Sequence, residues 1–435
     1  MRRLMRPLNR CILIILVIAP WSFAWAGDTH VCADCERATV AQAIADATTG
    51  DTITIPAGSC EWSSGVTVPD AKDLIIQGAG SSSTIITASP ACVVFTLGKS
   101  GSRLTAIGLI DGKIKVDGND FEIDHLSMSF AHWSEGISVG WRDDYTPEIA
   151  TGTIHDNSFT NMGVLVIGTN YRLSESDAQH ILWANEPSLG SQYAVYIEGN
   201  TFNGGLNAVD ANYGAAFVFR YNTLLNGCYI ESHSVQGANR ATRTWEIYNN
   251  LISNSGDIIY YPFRIRGGTG VIYNNVVSGN WSNYDIAFDN VRSYDSRVVC
   301  GECAGASDWD GNEGEGEEAG YPCRDQIGRG YDSTQWDHDP AGAYAQPLVP
   351  AYIWGNTGPE GALTVDVIND SGVHIQVNRD YYLSQHPSYS ARQCPDPRTG
   401  LKGSCSSSTA GAGGYNLSSG ITGIGSGGSA TTGGS

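Results

Sequence analysis

A six-residue motif with asparagine at its fourth position recurs along the chain, and it constrains the fold more than any other feature. The sequence IHDNSF at residues 154–159 returns in related form at 197–202, 219–224, 247–252 and 272–277, with weaker copies at 123–128 and 353–356. The asparagines of the five clear copies lie 43, 22, 28 and 25 residues apart. A spacing in the twenties, with 43 taken as two repeats or one insertion, is typical of a solenoid.

The runs between these motifs indicate which kind of solenoid forms. Short apolar or alternating stretches, for example at 73–77, 93–96 and 104–110, are each followed by turn residues. Such strands are too short to bury a face alone, so stacked repeats must share one interior, as in a parallel β-helix. We expect each repeat asparagine to lie at a tight bend, to adopt a left-handed backbone and to stack its side chain on the next repeat.

One segment has good helical periodicity, because Val40, Ile44 and Ala47 fall on one face of residues 37–47. A solenoid has open ends, so this helix is expected to cap the first repeat. The predicted organisation is an N-terminal cap at 27–60 and a β-helix at 61–402. The β-helix carries an acidic, cysteine-bounded insertion near 300–323 and is followed by a flexible Gly/Ser-rich tail at 403–435.

Residues 1–26 have the pattern of a secretory signal peptide. Four arginines accompany an apolar stretch at 11–20, and residues 24–26 (AWA) form an A-x-A cleavage site. We therefore expect a secreted protein that begins at Gly27 and does not insert into a membrane after cleavage. An uncleaved anchor is disfavoured because the apolar stretch is shorter than the roughly 20 residues that a bilayer requires.

Cleavage would leave ten cysteines, and an even number in a secreted chain suggests disulfides. C-x-x-C at residues 32–35 and again at 300–303 also has the spacing of zinc ligands, but neither pair has a second pair at the matching distance. Structural disulfides are therefore the favoured interpretation. The pairs expected from short loops are Cys303–Cys323 and Cys394–Cys405.

The opening repeats resemble a known family. The stretches GDTITIPAG at 50–58 and LIIQGAG at 74–80, with the asparagine repeat, are similar to right-handed parallel β-helix proteins of the pectate-lyase-like superfamily over about residues 37–380. The resemblance implies an all-β, right-handed parallel β-helix. The superfamily contains polysaccharide lyases, glycoside hydrolases and proteins without assigned chemistry. Residues 123–125 resemble the WIDH segment of pectate lyases, whereas the RxPxxR motif of their catalytic base is absent.

The charge balance limits the partners. A formal net charge of −20 disfavours non-specific binding to nucleic acid or to anionic membranes. It also disfavours unaided binding of a polyanion, so a neutral polymer or a Ca²⁺ bridge remains an alternative.

Outward side chains of successive repeats stack about 4.8 Å apart in a β-helix and form columns along its surface. Aligning the repeats on residues 203, 226 and 254 places Asp210, His233 and Tyr261 at equivalent positions. Alternation in the strands at 229–233 and 263–266 directs further polar side chains to the same surface. The resulting candidate strip adds Glu231, Tyr260, Arg264 and Arg266.

Two mechanisms could use this strip. In a uronate lyase, Arg264 and Arg266 would neutralise the substrate carboxylate, and His233 or Tyr261 would remove the C5 proton. In a glycoside hydrolase, Asp210 and Glu231 would be the carboxylate pair. The third interpretation is a set of solvated salt bridges without chemistry.

Other candidates lie outside the strip. Trp141, Arg142, Tyr260 and Arg240 are predicted substrate contacts. The insertion offers oxygens at positions one, three and five of a possible Ca²⁺ loop, although the loop departs from an EF-hand at positions six and twelve. A plain solvated acidic loop is the alternative there. The predicted metal ligands are Asp308, Asp310 and Asn312.

The sequence therefore predicts a secreted β-helix protein that binds a polysaccharide and depolymerises it, with β-elimination of a uronate-containing polymer favoured over hydrolysis. The alternative is a non-catalytic surface or matrix protein that uses the same rod for binding. Substitution of His233 or Arg264 separates the two, since only an enzyme loses turnover.

Overall fold

The computed structural model describes residues 27–90, 92–98, 101–140, 149–168, 183, 188–233, 240–291, 323, 325–330, 347–370 and 374–399. Within these ranges the chain is almost entirely β, with one α-helix and two large sheets of mainly parallel strands. The predicted all-β class is confirmed. In the same part of the chain, no helix is long and apolar enough to cross a membrane.

The first sheet takes one strand from each repeat, and each strand pairs in parallel with the corresponding strand of the next repeat. Its twelve strands in the described ranges are Thr29–Val31, Thr52–Ile55, Ile75–Gly78, Arg103–Thr105, Phe121–Asp124, Gly152–His155, Val195–Glu198, Ala216–Arg220, Thr244–Tyr248, Thr269–Tyr273, Ala351–Trp354 and Tyr381–Tyr382.

The second sheet consists of two rows that two long strands, Ser127–Val139 and Ser158–Ile167, connect. Besides the long strands, the first of these rows contains Gly58–Trp62, Thr84–Ala88, Gly108–Ile110, Thr201–Asn203, Thr223–Leu225, Leu251–Ile259, Val276–Trp281 and Thr357–Gly358, with Gly361–Ala362 in an antiparallel hairpin. The first sheet is the first row of strands and the row just given is the second, so the other row of the second sheet is called the third row below. It contains Val66–Thr67, Val93–Leu97, Lys113–Val116, Asn207–Asn212, Tyr229–Ser232, Phe263–Ile265, Ile286–Asp289 and Val365–Ile368.

Apolar side chains at matching positions fill the interior. In the first sheet Ile154, Ile197, Phe219 and Ile247 lie on successive strands in register, and all are fully buried. Helix Arg37–Asp46 packs Val40 and Ile44 against the same core at its N-terminal end. Burial of such side chains stabilises by roughly 1.5–3 kcal/mol each before conformational entropy is subtracted, so the stacked repeats supply the driving force together.

The repeat asparagines form the predicted ladder. Five of them accept, at Oδ1, a hydrogen bond of 2.9–3.1 Å from the backbone N–H of the previous ladder asparagine. The first, Asn157, accepts one of 2.8 Å from the backbone N–H of Leu126. Each Nδ2 donates to a backbone carbonyl of a preceding repeat at 2.8–3.0 Å. All six amides are buried, so the ladder satisfies backbone groups that water cannot reach. The members are Asn157, Asn200, Asn222, Asn250, Asn275 and Asn356.

The expectation that the ladder asparagine itself has a left-handed backbone is wrong. The positive φ belongs to the residue before it, with values of 54–67° at Asp156, Gly199, Tyr221, Asn249, Asn274 and Gly355. His125, before Leu126 in a weaker copy of the motif, has the same conformation with φ 53°. The preceding residue makes the bend, and the asparagine starts the next strand with its amide directed inward. This division of roles explains why the residue before the asparagine varies while the asparagine recurs.

The cysteines follow the predicted pattern in part. Cys35 forms a disulfide with Cys60, and this pairing removes Cys35 from any zinc site. Cys32, Cys92 and Cys228 are free thiols, so the expectation of full pairing is wrong for them. Residues Cys323 and Cys394 are disulfide-bonded, and their predicted partners, Cys303 and Cys405, lie outside the described residues.

Residues 383–399, here called the C-terminal strap, cross the outer face of the first sheet. Asp396 donates its backbone N–H to Glu198 Oε1 at 2.9 Å, and Arg220 donates from Nη1 and Nη2 to the carbonyls of Arg392 and Gln393 at 2.6 and 3.0 Å. The strap covers a stack of aromatic rings, with centroids 4.6 Å apart between Tyr248 and Tyr273 and 4.3 Å apart between Tyr273 and Trp354.

Candidate functional site

The outer surface of the third row carries the candidate strip. The register pairs Leu165 with Asp210 and Glu231 with Arg264, on strands that are neighbours in the row. His233 directly follows the strand Tyr229–Ser232. The structure therefore brings together five of the residues singled out from the sequence, and the contacts between them define the site. They are Asp210, Glu231, His233, Arg264 and Arg266.

His233 and Asp210 form a hydrogen-bonded pair. His233 Nδ1 lies 2.9 Å from Asp210 Oδ1 and 3.1 Å from Oδ2. A carboxylate only accepts hydrogen bonds, so Nδ1 donates and Nε2 is the ring nitrogen left to accept a proton. About 29% of the His233 side chain is exposed, so Nε2 can meet a ligand. This is the arrangement of a histidine base held by a carboxylate.

Glu231 lies beneath this pair and is 2% exposed. Its Oε2 accepts a hydrogen bond of 2.6 Å from Asn207 Nδ2. Its Oε1 lies 3.0 Å from Arg266 Nη2, 3.8 Å from His233 Nε2 and 4.0 Å from Arg264 Nη1. Glu231 is therefore a buried carboxylate whose charge is offset by Arg266 at 3.0 Å and, at the limit of ion-pair distance, by Arg264.

The two arginines share a second buried carboxylate, Asp289. Arg264 donates to Asp289 Oδ2 from Nε at 2.9 Å and from Nη2 at 2.7 Å, while Arg266 Nε lies 3.5 Å from the same oxygen. Asn369 Nδ2 donates to Asp289 Oδ1 at 2.7 Å and fixes the carboxylate. Arg264 retains 33% exposure of its side chain against 12% for Arg266, so Arg264 is the better placed to meet a ligand.

Glu135 belongs to the same surface, and sequence reasoning missed it. It lies in the strand Ser127–Val139 of the third row, at a register irregularity between Glu135 and Ile137. Burial raises the pKa of Glu135 above its usual range, and the nearby charge of Asp210 raises it further, while Lys113 and His233 oppose the shift. The acidic residue is visible in the sequence, but the bulge that directs it to this site is not.

The other predicted substrate contacts are less well placed. Tyr261 donates its hydroxyl to Asp366 at 2.8 Å, and burial and that carboxylate raise the pKa of Tyr261, which makes it a poor base. Tyr260 is 77% exposed and available to a ligand. Arg240 is buried against Asp325 and over the Trp183 ring at 4.7 Å, which argues against the predicted substrate contact.

Several predicted residues cannot be placed. The candidate sugar-binding lip, Trp141 and Arg142, and the candidate calcium ligands, Asp308, Asp310 and Asn312, lie outside the described residues.

Two groups in the described ranges have the spacing of metal ligands, with donor atoms within 4.8 Å of one another. In Asp210, Glu231 and His233 the donors are already held by each other and by Arg266, so the residues do not fit a metal well. In the second group, Glu122, Asp124 and His155, the donors are likewise already held, since His155 contacts Glu122 and Arg103 donates to Asp124. We assign a metal to neither.

That second group lies at the first sheet. His155 is fully buried, with Nδ1 2.9 Å from Asp156 and Nε2 3.1 Å from Glu122. Two carboxylate partners require both ring nitrogens to donate, and the pKa of His155 is raised to about 9 by these partners against the opposing effect of burial. Asp124 is fixed by two 2.8 Å hydrogen bonds from Arg103.

A polar cavity of about 440 Å³ adjoins this network. Its lining includes Ser81, His125, Asp156, Ser158 and Thr201. Among the described residues, no aromatic side chain other than the His125 imidazole lines it, so this part of the chain gives it no stacking platform for a sugar ring.

Comparisons with known proteins give no family. No family model and no curated protein matches the sequence. Among solved structures, an alginate lyase from Paenibacillus sp. str. FPU-7 is similar with a TM-score of 0.41 and 11% identity, over 78% of this chain and 99% of that chain. The catalytic domain of a GH87 alpha-1,3-glucanase in complex with nigerose gives a TM-score of 0.31 and 11% identity, over 82% of this chain and 66% of that chain. Both neighbours degrade polysaccharides. At these TM-scores neither comparison assigns an activity or a residue role to this chain.

Proposed function

We propose that this protein is a secreted polysaccharide lyase that cleaves a uronate-containing polymer by β-elimination on the outer surface of the third row. The observation that carries the proposal is the His233–Asp210 pair beside the partly exposed Arg264. The fold that we propose is a right-handed parallel β-helix, since parallel crossover connections are right-handed in about 98% of cases.

His233 is the proposed base. Asp210 fixes the tautomer in which Nε2 accepts a proton, and it stabilises the imidazolium that forms. The C5 proton of a uronate becomes acidic only when its carboxylate is neutralised. Arg264 is the proposed neutralising group, because a guanidinium pairs with a carboxylate in two parallel hydrogen bonds and Asp289 holds it in place.

The geometry gives less support to the hydrolase alternative. Hydrolysis would require Asp210 and Glu231 to flank the scissile bond. Asp210 is engaged by His233, and Glu231 is buried between Asn207 and Arg266. Both carboxylates therefore serve to position other groups in the proposed site.

The test is a product assay with protein lacking residues 1–26, over a panel of acidic and neutral polysaccharides, with and without Ca²⁺. Ultraviolet absorbance of a C4–C5 double bond and new reducing ends are measured together. β-Elimination raises both, hydrolysis raises reducing ends alone, and a non-catalytic binding protein raises neither. The Ca²⁺ arm also tests the proposed calcium loop in the insertion. Reducing ends without absorbance refute the lyase.

Two variants assign the roles. We expect His233→Gln to lower kcat by about 10²–10⁴-fold, the typical contribution of a general base. Arg264→Lys keeps the charge and loses the two-pronged pairing, so it is expected to raise KM and to lower kcat. His386→Gln, on the side of the first sheet, and Arg37→Lys, at the start of the helix, are matched controls that should retain full activity. Equal activity in His233→Gln and His386→Gln would remove His233 as the base.

A further inference from the structure

The proposed elimination has a base and a neutralising group but so far no proton donor for the leaving oxygen. Elimination breaks the C4–O4 bond of the uronate, and O4 leaves with the neighbouring sugar. An alkoxide is a poor leaving group unless it receives a proton. The required group is an acid on the same surface, near His233 but distinct from it.

The tyrosine hydroxyls near the base are engaged elsewhere. Tyr229 lies 3.4 Å from Glu231 Oε2, and Tyr261 donates to Asp366 at 2.8 Å. Asp210 is held by His233 at 2.9 Å, and Glu231 is charge-paired with Arg266 at 3.0 Å. A carboxyl group that keeps its proton near neutral pH would serve better than any of these.

Glu135 is a carboxyl group on this surface that none of those contacts engages, and its position in the row is the first argument for it. It lies on the strand Ser127–Val139, which pairs with Ser158–Ile167, and the latter pairs with the strand of Asp210. The register shifts between Glu135 and Ile137, and such bulges redirect side chains and are common beside active sites.

The residue that pairs with Glu135 in the row also lets the Glu135 carboxyl group come close to the next strand. The register places Gly163 beside Glu135, so no side chain from that position shields the carboxyl group from the next strand. A methyl group at Gly163 would meet the Asn207 carbonyl oxygen at 1.9 Å, so this position admits only glycine without a shift of the backbone. Asn207 in turn holds Glu231 at 2.6 Å.

The charges around Glu135 come from three strands of the row. Lys113 contributes from the preceding strand, Asp210 from the strand beyond Gly163, and His233 from the end of the strand after that. Burial is the largest effect on Glu135, and with the charge of Asp210 it raises the pKa of the carboxyl group. The group therefore lies within electrostatic range of both members of the proposed base pair, and it holds its proton to a higher pH than an exposed glutamate does.

We propose that Glu135 is the general acid of the elimination, an assignment that rests on the proposed lyase function. His233 Nε2 takes the C5 proton, and the C5–H electron pair becomes the C4–C5 double bond. The C4–O4 bond breaks, its electron pair passes to the leaving oxygen, and that oxygen takes the proton of Glu135. Solvent then removes the proton of His233 and restores that of Glu135, so the cycle requires no further reactant.

The decisive experiment compares two leaving groups. Glu135→Gln is expected to slow elimination from the natural polymer by about 10²–10⁴-fold. With a 4-deoxy-4-fluoro uronoside, fluoride leaves with little need of a proton, so Glu135→Gln should lie within about threefold of wild type. His233→Gln should be slow with both substrates. Glu61→Gln, an exposed glutamate of the strand Gly58–Trp62, is the matched control and should be fully active with both.

The pH–rate profile provides a second readout. Glu135→Gln should lose one limb of the profile, whereas Glu135→Asp should retain both limbs with partial activity. An equal loss of rate with both leaving groups, at an unchanged profile, would show a structural role and overturn the assignment. Full activity of Glu135→Gln on the polymer would overturn it while the lyase function stands. Wild type that produces no unsaturated product from either substrate refutes the lyase function, and the assignment with it.

Discussion

Replacement of Asn222 by alanine should destabilise the fold far more than loss of one surface amide. Asn222 is 1% exposed. Its Oδ1 accepts the backbone N–H of Asn200 at 2.9 Å, and its Nδ2 donates to the carbonyl of Ile197 at 2.8 Å and to Asn250 Oδ1 at 3.2 Å. Alanine removes all of these partners at once.

The expected magnitude follows from the groups left behind. The Asn200 N–H and the Ile197 carbonyl lose their side-chain partner in a place that water does not reach, and each such orphan costs about 1–3 kcal/mol. The sum is about 2–6 kcal/mol of the free energy of unfolding. Asn203→Ala is the matched control, because Asn203 is exposed and accepts a hydrogen bond from Asn226 at the surface, and we expect less than about 0.5 kcal/mol there.

Denaturant unfolding followed by circular dichroism measures both variants against wild type. Because a stack of repeats can unfold in parts, hydrogen exchange of residues 197–200 should be recorded as well, and it should rise in Asn222→Ala alone. Equal free energies of unfolding for the two variants would refute the reasoning, since they would show that water or a relaxed backbone replaces the ladder amide at no cost.

Three further outcomes are expected. The pKa of His155 is about 9 in the folded protein against an ordinary 6.5, so the protonated ring contributes about 3 kcal/mol to the free energy of unfolding. This contribution is complete below pH 6.5 and is lost as pH rises through 9, so Tm should fall over that interval. A fall of the same size in His155→Gln would show that another group causes it. Replacing Cys35 and Cys60 by serine opens a crosslink across 25 residues and should cost about 3.5 kcal/mol, measured as a lower Tm than that of the wild type in non-reducing buffer; an unchanged Tm would show that the crosslink adds no stability. Arg220→Met leaves Glu198 buried without its cation and should cost about 3–5 kcal/mol, with faster hydrogen exchange throughout the C-terminal strap; unchanged exchange there would show that the strap is held by other contacts.

The stacking of the chain could be predicted from sequence because each repeat carries its own copy of the signal. The asparagine ladder and the inward apolar columns depend on spacing within one repeat, and spacing is visible in a sequence. The position of the left-handed residue was one residue off, because Asp156, Tyr221 and Gly199 share no side-chain chemistry that would identify them.

The candidate strip could be predicted from the sequence for the same reason, since a constant offset from the bend brings Asp210 and His233 to neighbouring strands. Features that depend on contacts between distant parts of the chain could not be predicted. Arg240 is buried because Asp325, 85 residues away, folds over it, and the partners that neutralise Arg264 include Asp289, one repeat later. Glu135 was missed because a bulge breaks the alternation on which the alignment depends.

The C-terminal strap has a consequence for the order in which the chain matures. A stack of repeats can fold progressively during synthesis, beginning at the N-terminal end. The contact between Asp396 and Glu198 joins positions 198 residues apart, so the outer face of the first sheet around Glu198 stays uncovered until residues 383–399 have been synthesised. Until then the rings of Tyr248, Tyr273 and Trp354 face water as an open aromatic surface. A chain that stalls before residue 389 would present that surface to other chains, and we expect it to aggregate.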